Sequence, residues 1–199
     1  MPCHDHAGSQ GAKRTVEDGP MKPNIIVILA DDLGWNAVGY HNDEVTTPNI
    51  DQRIVGEGVE FDHFYSCPMC SPARAGLMTG RYPIRFGCAR SVIPPWRMQG
   101  VPTDEVFMPE VPARAGYEER ALIGKWHLGH NKRKWLPLER EGELDWHRGY
   151  ETCQGQGYST DLIADETVAF IRRHADSDAP FYCYTAFNAP HGPFQAPQH

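Results

Sequence analysis

The chain has 199 residues, 40% of them hydrophobic and 23% charged, the composition of an ordinary globular protein. A net charge of −7 and a pI near 5.8 argue against a nucleic-acid-binding protein, but a local cluster of Lys, Arg and His can still dominate a cleft and hold an anion. No stretch is apolar for long enough to span a bilayer. Residues 1–22 are polar and read as a disordered leader, not a secretory signal, with Met21 as an alternative start. This leader would not direct export, so the sequence as given reads as cytoplasmic with localisation left open, and the folded region is expected over residues 23–199.

Residues 24–30 form a continuous apolar, β-branched run that predicts a strand buried on both faces, ending at Asp31-Asp32. Thr47-Pro48-Asn49 predicts an N-cap, a first-turn proline and a short helix to Gly56 or Gly58. Val59-Glu60-Phe61 predicts a short strand. Ser71-Pro72 opens a second helix that Gly80 closes. Cys70 then lies at or just before a helix N-terminus, where unpaired N–H groups favour an anion. Residues 121–124 predict a strand ending at Lys125-Trp126-His127. Residues 161–174 are the clearest helix, capped by Ser159 or Thr160, with Ile163, Thr167, Phe170 and Ile171 on one face. Residues 181–187 predict a further strand, followed by Asn188-Ala189-Pro190-His191.

Strands alternating with helices predict an α/β fold, a mixed, mostly parallel sheet flanked by helices. Polar groups repeatedly follow the strands: Asp31-Asp32, Lys125 with His127, and His191. Ligand sites in open α/β sheets lie beyond the carboxyl ends of the strands, so these groups can converge. Of the six cysteines, Cys3, Cys67, Cys70, Cys88, Cys153 and Cys183, only Cys67 and Cys70 form a C-x-x-C, which excludes a zinc ribbon. A redox dithiol is the remaining reading of that pair alone.

The decisive stretch is Cys70-Ser71-Pro72-Ala73-Arg74, continuing to Leu77-Met78-Thr79-Gly80-Arg81. It resembles the C-x-P-x-R signature of the sulfatase family. Gly124-Lys125-Trp126-His127-Leu128-Gly129 is similar to that family's second signature, and Asp31-Asp32-Leu33-Gly34 to its first metal motif. The likeness runs from Lys22 to the end, and Gly39-Tyr40-His41 and residues 47–51 look closest to N-acetylgalactosamine-4-sulfatase-like arylsulfatases. It implies the N-terminal part of an alkaline-phosphatase-like catalytic domain.

The resemblance further implies that a formylglycine-generating enzyme oxidises Cys70 to an aldehyde. The aldehyde hydrates to a diol; one hydroxyl attacks sulfur and the other later expels sulfate. Asp31, Asp32 and residue 70 would hold Ca²⁺, with Mg²⁺ the alternative. Arg74 would hold the formylglycine and metal in place, Lys125 would bind sulfate oxygens, and His127 would act on the diol as an acid/base group. His191 would contact sulfate and protonate the leaving alcohol. The implied substrate is a sulfate ester, aryl or on a saccharide.

Each residue also has an ordinary reading: Asp31-Asp32 as a solvated turn, Cys70 as a small buried residue, Arg74 and Lys125 as solvated cations, His191 as loop filler. Two departures from the family pattern carry expectations. Leu136-Pro137-Leu138 runs directly into Glu139-Arg140-Glu141-Gly142-Glu143, where the family has an aromatic-rich loop. The family's later metal ligands and second sulfate-binding lysine have no counterpart before His199, so this chain alone is expected to show little or no activity. A phosphonate or phosphate monoester hydrolase of the same fold, and a non-catalytic sulfatase-like protein, are the competing functions.

Overall fold

The structure, a computed structural model, describes residues 22–94, 96–129, 147–148, 151–152 and 157–194. Residues 1–21 of the leader, with Cys3, and also Cys153, Lys132-Arg133-Lys134 and the segment at 136–143 lie outside the described residues.

The β-branched run forms β1 (Ile25–Asp31), and Cys70 opens helix α1 (Cys70–Thr79). Helix α2 (Glu110–Arg114) leads into β2 (Glu119–Gly124). Two short strands, β3 (His147–Arg148) and β4 (Glu151–Thr152), pair antiparallel. Helix α3 (Ser159–His174) and β5 (Phe181–Pro190) follow. Strands β1, β5 and β2 form a sheet in that order, and both pairings are parallel.

The sheet carries a cluster on each face. Tyr182, Tyr184 and Ala186 of β5 join Ala75 and Met78 of α1, together with Trp126 and Leu128. On the other face Phe181 and Cys183 meet Phe170 of α3. Phe170 and Phe181 lie edge-to-face with centroids 5.6 Å apart. The apolar stripe read at 3.6-residue spacing is the buried face of α3, with Ile163, Thr167 and Phe170 all buried. Thr167 would be a polar liability there, but its hydroxyl donates to Ile163 O at 2.7 Å and meets Thr185 Oγ1 at 3.0 Å.

Three local expectations fail. Strand β1 is not buried on both faces. Ile25, Val27 and Leu29 pack on the α1 side, whereas Ile26 and Ile28 are 43% and 61% exposed. Ile26 shares a face with Cys183, but among the described residues α3 packs over β5 and β2 rather than over β1. The strand buried on both faces is β5, central in the sheet. Residues 59–61 form no strand, and Val59 and Phe61 are exposed. The N-cap of α3 is Tyr158, one residue before the expected Ser159 or Thr160. The helix opened by Thr47-Pro48 is present, mostly as a π-helical turn over Ile50–Val55.

Candidate active site

Two strand ends and one helix start meet at the site. Asp31 ends β1, Lys125 follows β2 directly, and Cys70 is the first residue of α1. Gly124 sets the spacing. Its φ is +97°, and a Cβ there would lie 2.0 Å from Ala186 O. Only glycine lets β2 bring Lys125 this close to β5, and the Lys125 N–H then donates to the same carbonyl at 2.8 Å. Asp32 (φ +61°) and His127 (φ +62°) are the only non-glycine residues with positive φ among the described residues. Both are candidate site positions, as stored backbone strain at functional sites would have it.

Asp31 is the hub. It is buried, and Lys125 Nζ donates directly to its Oδ2. Arg74 NH2 lies 3.3 Å from its Oδ1. Arg74 sits one helical turn beyond Cys70, and its NH1 also donates to Lys125 O at 2.6 Å. The guanidinium therefore fixes both the carboxylate and the backbone that carries the lysine. Burial would push the Asp31 carboxyl up, but the Lys125 hydrogen bond and the Arg74 and Lys125 charges outweigh it and hold it below the ordinary carboxylate range. Two cations against one carboxylate leave an excess positive charge in a buried place.

Lys125 Nζ is also 3.9 Å from Cys70 Sγ. Partial burial raises the Cys70 thiol, Lys125 pulls it down, and Asp31 and Asp32 add to the rise, so the net direction is up. The described cysteines Cys67, Cys70, Cys88 and Cys183 are all free, so Cys67 and Cys70 form no disulfide here.

His127 is half-buried between buried Trp126 and Leu128, and its carbonyl accepts the Ser71 hydroxyl at 2.7 Å. Ser71 in turn accepts from Ile93 N–H at 2.8 Å. His191, at the end of β5, presents its ring to the same place. Its Nδ1 is 2.6 Å from Gly192 O, and its Nε2 is 3.7 Å from Asp32 Oδ2. A carbonyl only accepts, so Nδ1 carries a proton. A cavity of about 430 Å³ opens beside it, lined by Lys125, Tyr158, Ser159, Thr160, Asn188 and His191 among others.

Asp31, Cys70, Arg74, Lys125 and His191 therefore come together, and His127 is tied to α1 by its backbone. Asp32 points outward, 64% exposed, with His191 as its partner. Sequence reasoning missed Ser71, whose value lies in two contacts 22 and 56 residues away. It also missed the contribution of Tyr158, and of Ser159 and Thr160, which read only as a helix cap.

The donor set is a poor match for a hard cation. Ca²⁺ takes six to eight oxygens. Both Asp31 oxygens already face cations, Asp32 is largely solvated, and the Cys70 sulfur is a soft donor. With a thiol at position 70 the described residues do not fit Ca²⁺.

The Sulfatase family model matches residues 23–199. The chain is 35% identical over 218 residues to N-acetylgalactosamine-6-sulfatase of Rattus norvegicus, an alignment covering 89% of this chain and 41% of that one. It is 42% identical over 142 residues to arylsulfatase A of Bos taurus, covering 70% of this chain and 26% of that one. The crystal structure of Ps i-CgsB in complex with k-i-k-neocarrahexaose superposes with a TM-score of 0.76 at 31% identity, covering 88% of this chain and 47% of that one. The chain thus spans less than half of each of these proteins.

Proposed function

We propose, from the premise that this chain belongs to the sulfatase family, that it carries the nucleophile side of a sulfuric ester hydrolase site. The observation that carries the reading is the buried excess of positive charge at Lys125 and Arg74, over one carboxylate, beside the first residue of α1. Helix N-terminal N–H groups and that excess of positive charge together suit a sulfate group.

In this reading Cys70 is the precursor of formylglycine, made by a formylglycine-generating enzyme. The hydrated aldehyde supplies an oxygen nucleophile and a second hydroxyl for sulfate release, which a thiol lacks. Lys125 binds the sulfate oxygens and stabilises the charge that grows on them. Arg74 does not reach substrate; it holds Asp31 and the Lys125 backbone where they stand. His127 serves the nucleophile as an acid/base group. His191 Nε2 takes a proton beside Asp32 and delivers it to the leaving alcohol oxygen. Ca²⁺ or Mg²⁺ in this site needs an oxygen at position 70 and oxygen donors beyond Asp31 and Asp32.

The substrate class is a sulfate ester of a sugar or an aryl alcohol, as the names of the matched relatives indicate for those proteins. Residues 23–199 are read as the N-terminal portion of a catalytic domain.

The test is tandem mass spectrometry of the tryptic peptide 54–74 from chain made with active formylglycine-generating enzyme. An aldehyde at position 70 with thiol at Cys67 is the expected result. Intact Cys70, with a control substrate converted, overturns the reading. A longer form carrying this site is expected to turn over an aryl sulfate faster than the matching aryl phosphate, and the reverse order would favour a phosphate monoester hydrolase.

A further inference from the structure

We propose that the segment from His63 to Thr103 docks a sulfated polysaccharide, with Arg85, Arg90, Arg97 and Trp96 as contacts outside the pocket. The charge of this chain is divided unevenly. No Asp or Glu lies between Asp62 and Asp104, a stretch that holds five arginines and no lysine. That stretch carries +5, whereas the rest of the chain carries −12. It also contains Cys70 and the whole of α1. A run of cations kept clear of carboxylates sets up a local positive field even in an acidic protein. Two of the five are already answered, Arg74 by Asp31 and Arg81 by Glu105. Arg85, Arg90 and Arg97 are exposed, and among the described residues no carboxylate pairs with Arg85 or Arg90.

The fold pins this segment beside the site at two points. Ile93 N–H donates to Ser71 Oγ at 2.8 Å, and Val101 N–H donates to Leu128 O at 3.0 Å. Ser71 follows Cys70 and Leu128 follows His127, so Arg90, Trp96 and Arg97 ride on a loop fastened at the margin of the site. Arg97 NH1 donates to Ser91 Oγ at 3.1 Å, which holds the guanidinium next to the residue after Arg90. Arg85 lies in a 3₁₀ turn (Pro83–Phe86) against α1, with Pro83 3.5 Å from where a Cβ on Gly76 would stand. Ten helical residues, about 15 Å, separate that end of α1 from Cys70. One sulfated sugar in the pocket cannot reach Arg85, but a chain of them can. The cations are all arginines, whose planar fork meets two oxygens of one oxyanion. Trp96 is 79% exposed and offers a flat apolar face to the C–H side of a pyranose ring.

The choice of a polysaccharide rests on the sulfuric ester hydrolase reading, whereas the polyanion-binding surface needs neither formylglycine nor turnover. Contacts this far from the scissile ester are equal in ground and transition states, so they hold the polymer without speeding the chemical step.

The experiment uses the full chain with Cys70 as the thiol. Binding of fluorescein-labelled dextran sulfate is followed by anisotropy over a series of NaCl concentrations, with neutral dextran and poly-L-glutamate for comparison. Dextran sulfate is expected to bind, poly-L-glutamate to bind more weakly and neutral dextran not at all. Arg85→Gln, Arg90→Gln and Arg97→Gln together are expected to flatten the slope of log affinity against log salt by about 2, at roughly 0.7 per cation on a single-stranded polyanion. Arg53→Gln, Arg172→Gln and Arg173→Gln together make the same charge change elsewhere and are expected to leave the slope alone. Trp96→Ala is expected to weaken dextran sulfate several-fold and poly-L-glutamate not at all. An equal fall in both triple variants, or unchanged dextran sulfate binding in Trp96→Ala, overturns the proposal. So does a wild-type chain that ignores dextran sulfate or holds poly-L-glutamate equally well, a result that needs no variant to fold. Failure here leaves the aldehyde test at position 70 untouched, and intact Cys70 in that test leaves the anion surface standing, so the two failures are told apart.

Discussion

Replacing Asp31 by Asn is expected to cost far more stability than removing either of its cationic partners. The side chains of Asp31, Arg74 and Lys125 are only 5%, 3% and 7% exposed. Asp31→Asn leaves two buried cations facing no anion. Breaking a buried ion pair by removing one partner costs about 3–5 kcal/mol, and here two pairs lose the same partner. Lys125→Met instead leaves Arg74 and Asp31 matched one to one and removes the uncompensated charge, so its cost is roughly 0–2 kcal/mol. The double variant is expected to cost less than the sum of the two, by about 1–3 kcal/mol, because the second change relieves what the first created. The assay is urea unfolding at neutral pH with a chelator present, read by tryptophan fluorescence. Equal costs for Asp31→Asn and Lys125→Met, or strict additivity in the double variant, would refute the account of Asp31 as shared counterion.

Ser71→Ala removes two hydrogen bonds at a fully buried position; a loss of about 1–3 kcal/mol in unfolding free energy is expected, and a change under about 0.5 would show the hydroxyl to be idle. Gly124→Ala drives a methyl into Ala186 O and strains a φ of +97°; it is expected to cost roughly 3 kcal/mol or more, while Gly80→Ala, in open space at φ +63°, costs about 1–2. Thermal melts of the pair decide, and equal midpoints would remove the argument for a close approach. Alkali should destabilise the fold, since burial lifts the Tyr184 hydroxyl from 10.0 to about 12. A raised pKa means the folded state keeps the proton longer, so the stability is whole below pH 10 and is lost as pH climbs towards 12. Its size is roughly 2–3 kcal/mol. Tyr184→Phe should flatten that part of the pH–stability curve; an unchanged slope would count against it.

The elements that rest on local chemistry were readable from the residues. The glycine-closed helix α1, the stripe of α3 and the strands at 121–124 and 181–187 follow from periodicity and turn residues. Burial on both faces went to the wrong strand, because β1 and β5 are similarly apolar and only sheet order says which is central. The site was legible as motifs, and Asp31, Cys70, Arg74, Lys125 and His191 come together, whereas Asp32 points outward. Its wiring was not: the Lys125–Asp31 and Arg74–Lys125 contacts span 94 and 51 residues. No spacing rule reports that Asp31 is already engaged by two cations, and that engagement is what sets the donor set against Ca²⁺.

The bare outer edge of β1 has a consequence for how the chain behaves in a tube. Strands β1 and β2 are the two margins of the sheet among the described residues, and β1 carries Ile26 and Ile28 towards water. Within Ile25–Asp31 there is no lysine, proline or glycine to blunt it, only an inward-facing aspartate at the last position. An apolar strand at a sheet margin is a template for another copy of itself. Concentrated samples should therefore gather into edge-joined oligomers, and a Lys at position 28 is the smallest change that would keep the molecules apart.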